Sequence, residues 1–303
     1  MYKQIMVPLD GSTFAEAALP LALALSGKTR AGIHFVSVLE PTPAFDYDEW
    51  EAAARAWSEG YLDNVAGRVR GESGGAVTTG LRSGQVVETL LTEAGAKHAD
   101  LVVMATHGRG ALSRAWLGSV ADALLRQAKM PVLFVRPSEG PAPASVPAGT
   151  ETILIPLDGS DLSEEALEHA TELGELFGSA YHLTRVVANF IDIASPYTPH
   201  TMQMNQNILA DAKASAIEYL EERADHMRRR GLRVTTSVAV DAQAGHGILS
   251  EAEAVGCDLI AMATHGRSGM GRLVLGSTAD KVLRGTHVPL LLYRPAKIPA
   301  VKV

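Results

Sequence analysis

The chain is poor in most of the features that assign a function quickly. It holds one cysteine, Cys257, among 303 residues. That excludes an intrachain disulfide, and a reducing, cytoplasmic setting is expected. Cys257 precedes Asp258 at the start of an apolar run and reads as a buried structural thiol. Basic residues are outnumbered, 27 Lys and Arg against 34 Asp and Glu for a net charge of −7, so no footprint for nucleic acid is expected. The one basic cluster, Arg228-Arg229-Arg230, ends a helical pattern where cations complement the helix dipole. Apolar stretches such as Leu101 to Ala105 are far shorter than the ~20 residues that span a bilayer. Met1-Tyr2-Lys3-Gln4 runs directly into a strand pattern, so neither a leader nor a membrane partner is expected. The sequence contains no G-x-x-x-x-G-K-[ST] loop and no H-x-x-x-H or C-x-x-C spacing. Walker-type chemistry and a zinc site drop out with them.

What is present is present twice. Val7-Pro8-Leu9-Asp10-Gly11-Ser12 returns as Ile155-Pro156-Leu157-Asp158-Gly159-Ser160, an offset of 148 residues. Ala105-Thr106-His107-Gly108-Arg109 returns as Ala263-Thr264-His265-Gly266-Arg267, and Leu117-Gly118-Ser119 as Leu275-Gly276-Ser277, both at 158. The second copy therefore carries one short insertion, expected as a loop in Asn189–Met204. A period near 150 residues is the size of a domain rather than of a solenoid unit. The expected division is a first domain over 1–137, a linker over 138–150 and a second domain over 151–303. Four prolines between Pro137 and Pro147 favour an extended tether.

Within each half, short apolar runs alternate with longer amphipathic ones. Gln4–Pro8, Gly32–Val38, Ala76–Leu81, Leu101–Ala105 and Val132–Val135 read as strands, with helices over Thr13–Ser26, Asp48–Arg70, Gln85–His98 and Ser119–Ala128. The second half repeats the order: strands Thr152–Pro156, Ala180–Val187, Arg233–Val240, Leu259–Ala263 and Pro289–Tyr293; helices Ser163–Phe177, Asn205–Arg230, Gly245–Val255 and Ser277–Thr286. Strands that are apolar throughout are those covered on both faces, and strand–helix alternation implies right-handed crossovers. The fold class is α/β: two tandem doubly wound domains, each a parallel sheet flanked by helices.

The chemistry concentrates where both copies agree. Gly118-Ser119 and Gly276-Ser277 open a helix at the carboxyl edge of the sheet, the edge where ligands of such sheets bind. A helix N-terminus offers unpaired N–H groups and the positive end of the macrodipole, and glycine lets an anion approach the backbone. Ser119 and Ser277 add hydroxyl donors, Val120 and Thr278 continue the first turn, and Arg109 and Arg267 suit an outer phosphate. A second reading of the same residues is a capping box, Ser119 with Asp122 and Ser277 with Asp280. Asp10 and Asp158, at the end of each first strand, read either as turn formers beside a helix-capping serine or as acceptors for a base amine or ribose hydroxyl. His107 and His265 read as residues bracing a turn, since no carboxylate or second histidine lies at triad or ligand spacing.

A first strand ending V/I-P-L-D-G-S, a fourth ending M-A-T-H-G-R and a later L-G-S before the last helix resemble the universal stress protein family. The resemblance covers both halves. It implies a five-stranded parallel sheet ordered 3-2-1-4-5 in each domain, and an ATP-binding pattern G-x-x-G-x9-G-(S/T). That pattern maps onto Ala105, Gly108, Gly118 and Ser119, and onto Ala263, Gly266, Gly276 and Ser277, with alanine at the first glycine in both copies. By the same resemblance Pro8, Leu9 and Asp10 border adenine and ribose, as do Pro156, Leu157 and Asp158, while Val38 and Val186 meet the base through their backbones. The implied ligand is ATP, with any Mg²⁺ or Mn²⁺ held by its phosphates, and the implied role is nucleotide-dependent regulation with no dedicated catalytic residue. Two rivals are a protein-interaction scaffold without a ligand and a slow ATP-hydrolysing enzyme.

The fifth strands, Val132-Leu133-Phe134-Val135 and Leu290-Leu291-Leu292-Tyr293, are short apolar edges of the kind that invite pairing. An intrachain pseudo-dimer through these strands, antiparallel, is therefore expected, and a homodimer is a further partner in keeping with the family resemblance.

Overall fold

The computed structural model describes residues 2–41, 48–106, 118–137, 150–188, 199–265 and 275–294, without the side chains of 48, 49 and 199–202. In the first half β1 (Gln4–Pro8) leads through a 3-10 turn (Ala15–Ala18) to α1 (Leu19–Thr29) and β2 (Gly32–Leu39). Then follow α2 (Asp48–Val69), β3 (Val77–Ser83), α3 (Val86–Ala96), β4 (Leu101–Ala105), α4 (Ser119–Gln127) and β5 (Val132–Val135). The second half gives β6 (Thr152–Pro156), α5 (Asp161–Phe177), β7 (Ala180–Val187), α6 (Pro199–Arg229) and β8 (Val234–Val240). It ends with α7 (Ala244–Val255), β9 (Leu259–Ala263), α8 (Ser277–Gly285) and β10 (Leu290–Tyr293).

The chain divides into two compact units, Met1–Gly149 with Pro289–Ala296, and Thr150–Val288 with Lys297–Val303. In the first unit the strands run β3-β2-β1-β4-β5-β10. β1 pairs in parallel with β2 and β4, β3 with β2, and β5 with β4. β10 is antiparallel to β5, with Leu290 opposite Phe134 and Leu291 opposite Leu133. The last strand of the second repeat thus lies with the first unit. In the second unit the order is β9-β6-β7-β8, all parallel. The α/β architecture read from the sequence is the one present.

Burial explains the monotony of the strand sequences. Every residue of β4, β5 and β9 is buried, so no solvent face imposes alternation. Two aspartates tie the strands together at the opposite, amino edge. Asp100 accepts from the N–H groups of Lys3 at 2.7 Å and Gln4 at 3.2 Å, and Asp258 accepts from those of Glu151 and Thr152 at 2.9 Å each.

Two elements differ from the sequence reading. The run from Thr13 is first a 3-10 turn, Ala15–Ala18, and α proper starts at Leu19. The helix expected from Asn205 starts at Pro199 instead, inside the segment read as an insertion loop. The first turn tolerates proline because the N–H it lacks has no partner there. α6 has 31 residues against 22 in α2, so much of the insertion is helix.

Helix endings expose a difference between the copies. α5 and α7 stop at Gly178 (φ 69°) and Gly256 (φ 60°), whereas the corresponding residues after α1 and α3 are Arg30 (φ 60°) and His98 (φ 52°). The left-handed region costs a residue with a Cβ about 1–2 kcal/mol. Arg30→Gly and His98→Gly are each expected to stabilise the first unit, by about 0.5–1 kcal/mol after the added chain entropy of glycine. Urea unfolding of the two variants measures it; a lower midpoint in both contradicts the expectation.

Candidate functional site

β1 lies between β2 and β4, and β6 between β7 and β9, so the crossovers leave each central strand in opposite directions. The crevice above the carboxyl ends at such a switch point is where open α/β sheets hold ligands. At that point the chain makes the same turn twice. The Leu9 N–H donates to the Val36 carbonyl and the Leu157 N–H to the Thr184 carbonyl, both at 2.8 Å. Gly11 (φ 82°) and Gly159 (φ 84°) then reverse the chain in a region closed to most side chains. The Asp10 carboxylate accepts from the Ser12 N–H at 2.9 Å and its hydroxyl at 2.6 Å. Asp158 accepts from Ser160 in the same way at 3.0 and 2.6 Å, and Ser160 caps α5 through the Ser163 N–H at 3.2 Å. Both sequence readings of the serine as a cap and the aspartate as a turn former hold.

The second repeated element starts each helix at a glycine and not at the serine. The N-cap of α4 is Gly118 and that of α8 is Gly276, and neither helix start has a side-chain cap. Ser119 and Ser277 are already inside the first turn and exposed. The capping box is therefore not formed. Its intended acids are engaged elsewhere: Asp122 pairs with Arg126 at 3.0 Å and Asp280 with Arg284 at 2.9 Å, one turn on. The helix starts are fixed instead by backbone. Gly118 N–H donates to Thr106 O at 2.9 Å and Gly276 N–H to Thr264 O at 3.0 Å, closing each loop onto the end of its fourth strand. A Cβ on Gly276 would stand 2.8 Å from Thr264 O, closer than real side chains come. Packing thus requires glycine at 276, and among the described residues no side chain accepts from the N–H groups of either first turn.

Pro8, Leu9, Asp10, Val38, Ala105, Gly118, Ser119 and Val120 all lie at or just beyond the carboxyl ends of β1, β2 and β4. Pro156, Leu157, Asp158, Val186, Ala263, Gly276, Ser277 and Thr278 do so around β6, β7 and β9. Gly108, Arg109, Gly266 and Arg267 lie outside the described residues, as does His107. His265 is buried, its Nδ1 2.9 Å from the Thr264 hydroxyl, in keeping with a residue that braces the turn. Among the described residues no group of three or more His, Cys, Asp or Glu is placed to hold a metal ion. Burial pushes the Cys257 thiol up to about 12, the range of an inert structural cysteine.

The sequence reading missed a polar network beneath each site. His34 on β2, fully buried, sits 2.9 Å from the Thr78 hydroxyl on β3 and 2.8 Å from the Glu93 carboxylate on α3, which Arg82 grips at 2.7 and 2.8 Å. In the second unit His182 meets Thr235 at 2.8 Å, Ser237 at 2.9 Å and Glu251 at 3.1 Å. The signal was available, since His34 and His182 match at the 148 offset and Glu93 and Glu251 at 158. Each network locks the third helix of its half to the second strand. In the second unit that helix also begins with a pair absent from the first: His246 Nδ1 lies 2.6 Å from Asp241, which in addition accepts the Gln243 N–H at 2.8 Å.

Comparison with known proteins meets this geometry. The profile of the universal stress protein family matches residues 1–136 and again 149–294. The chain belongs to the universal stress protein family. A universal stress protein of Mycolicibacterium smegmatis is 28% identical over 302 residues, covering 96% of this chain and 97% of its own. One from Thermus aquaticus is 32% identical over 145 residues, 45% of this chain and 100% of its own. Among solved structures, a universal stress protein from Archaeoglobus fulgidus superposes with a TM-score of 0.73 at 19% identity, over 96% of this chain and 98% of that one. A functionally unknown protein from Pseudomonas aeruginosa gives 0.67 at 20% identity, over 97% and 93%. These likenesses carry the fold: tandem α/β domains of one stress-response family.

In this universal stress protein the buried histidine makes stability depend on pH. Burial holds His34 below its ordinary value of 6.5 despite the Glu93 carboxylate, with Lys97 and Arg82 lowering it further. Burial acts to raise Glu93, yet the Arg82 guanidinium and His34 hold it below 4.5. A histidine depressed in the fold binds its proton more readily in the unfolded chain, so stability falls as pH drops below 6.5. The Glu93 contribution adds the same sign below 4.5. Urea midpoints of the first unit are expected to fall between pH 7.5 and 5, at up to about 1.4 kcal/mol per pH unit per proton. His34→Gln should flatten that slope; His169, also depressed by burial, keeps part of it in the second unit. An unchanged slope in the variant contradicts the assignment.

Proposed function

We propose that this universal stress protein binds ATP in one or both halves and acts as a nucleotide-dependent regulator, not as a fast catalyst. The observation that carries the reading is the pair of glycine-led helix starts without side-chain caps, Gly118-Ser119 and Gly276-Ser277, at the carboxyl edge of a parallel switch point. Backbone N–H groups and a positive dipole end suit phosphate, and Ser119 and Ser277 add hydroxyl donors. The sequence pattern assigns Gly108 and Gly266 to the anion and Arg109 and Arg267 to its outer oxygens, all four outside the described residues. Pro8 to Asp10 with Val38, and Pro156 to Asp158 with Val186, take base and ribose, with Ala105 and Ala263 at the strand ends. Val120 and Thr278 complete the first helical turns. A divalent cation is held mainly by the nucleotide phosphates, the ordinary arrangement for Mg²⁺.

The remaining parts of the reading rest on the same duplication. Domains over 1–137 and 151–303 with a linker over 138–150 agree with the two family matches, 1–136 and 149–294. The antiparallel pairing of β5 with β10 supports an intrachain pseudo-dimer through the fifth strands. A homodimer through a further copy is tested by light scattering. A cytoplasmic setting fits a single buried thiol, and among the described residues no helix is long and apolar enough to cross a membrane.

Isothermal titration of the full chain with ATP and Mg²⁺ tests the proposal. Heat with a stoichiometry of one or two per chain is expected, and a hundredfold excess over the dissociation constant should stabilise the fold by about 2.7 kcal/mol. Gly276→Val with Ser277→Val should remove the second site, because the added Cβ meets Thr264 O. No heat supports the scaffold reading and sinks this one. A turnover in the range of roughly 1–1,000 per second supports an enzyme.

A further inference from the structure

The two copies differ at the rim of the site in the sign of the charge that has no ion-pair partner. α3 packs against α4, and α7 against α8. In the second unit the approach is close: a Cβ on Gly245 would meet Cβ and Cγ of Lys281 at 2.7 Å and the Thr278 carbonyl at 3.5 Å. On Gly247 it would meet Val186 Cγ1 at 2.8 Å and Asp241 Cβ at 3.1 Å. The first turn of α7 therefore touches both the end of β7 and the start of α8, the two ends of the site proposed above.

At the 158 offset, Gly245, His246 and Lys281 correspond to Val87, Glu88 and Ala123. The other charges at these helix starts have local partners, including Arg55, 3.2 Å from the Ser83 hydroxyl just before α3 and 3.6 Å from Glu51. Asp122 is held by Arg126, Asp280 by Arg284, and Asp241 by His246 and a backbone N–H. Lys281 and Glu88 are exposed, and among the described residues neither has a charged partner within ion-pair distance. The charges without an ion-pair partner are then the Glu88 carboxylate in the first turn of α3 and the Lys281 ammonium on α8. The helix dipole accounts for an acid in the first turn of α3. It does not account for a lysine in the body of α8, packed under a glycine.

We propose that the two sites are inequivalent, the second selecting the multiply charged tail of a nucleoside triphosphate through Lys281, with His246 in place of a repelling carboxylate, and the first, with Glu88, selecting an adenine ligand of low charge such as the nucleoside or its monophosphate. This rests on the nucleotide reading of the preceding subsection. At the rim a like charge repels and an opposite one attracts a polyphosphate with an energy that salt screens, whereas an uncharged ligand is indifferent to both.

The test uses the full chain and reads each site separately, by hydrogen exchange of the α4 and α8 peptides during titration with ATP and with adenosine. In the natural sequence ATP is expected to protect α8 at a lower concentration than α4. The exchange of rim residues, Lys281→Ala with His246→Glu, should raise the ATP concentration for half-protection of α8 by about tenfold, leaving adenosine within about twofold. The reverse pair, Glu88→His with Ala123→Lys, should lower the ATP concentration for α4. All four positions lie on the α3–α4 and α7–α8 rims, and urea midpoints confirm that each variant folds. Equal half-protection of α4 and α8 by ATP, or a second site indifferent to the exchange, overturns the inequivalence alone. If neither ligand protects either helix in the natural sequence, the nucleotide reading falls with it.

Discussion

Burial of the central strands on both faces is the constraint from which the rest of this molecule follows. With β4, β5 and β9 wholly enclosed, no polar chemistry can sit on the sheet unless a partner is buried with it. Polar function is pushed to the strand ends. At the amino edge Asp100 and Asp258 close the backbone of the first strands. At the carboxyl edge lie two tight turns at Gly11 and Gly159 and two glycine-led helix starts at Gly118 and Gly276. The repeated motifs fall at that edge.

The few polar groups that do enter the core are paired, as that constraint demands. His34 and Glu93 satisfy each other with Thr78 and Arg82, and His182 repeats the arrangement with Thr235, Ser237 and Glu251. A further polar contact holds the first and second helices of the later half, where Tyr219 donates to Glu164 at 2.8 Å beside Arg223. Such networks fix the helices whose first turns lie at the carboxyl edge. The geometry of that edge thus depends on contacts beneath it.

Duplication also acts as an internal control. Where both copies keep a residue, packing can show why, as with Gly276, whose added Cβ would stand 2.8 Å from Thr264 O. Where they diverge, the fold tolerates the change and shows what it costs or permits. Left-handed helix endings at Arg30 and His98 stand where the second copy uses glycine. The third-helix start uses Gly84 (φ 145°) in one copy and, in the other, Ala242 beside an aspartate that supplies the turn.

The sequence by itself determined the duplication, the α/β class, the strand positions to within a residue or two, and the two motifs at the carboxyl edge. These are local or periodic signals, carried by apolar runs, glycines and turn residues. Only the tertiary structure decided whether Ser119 caps or Gly118 does. That choice turns on whether Thr106 and the helix start come within hydrogen-bond distance. It also decided that the inserted segment lengthens α6 and that His34 faces Glu93 across 59 residues of chain. Each of these depends on contacts between residues far apart in the chain, which no local pattern encodes; the sheet has to form before they exist.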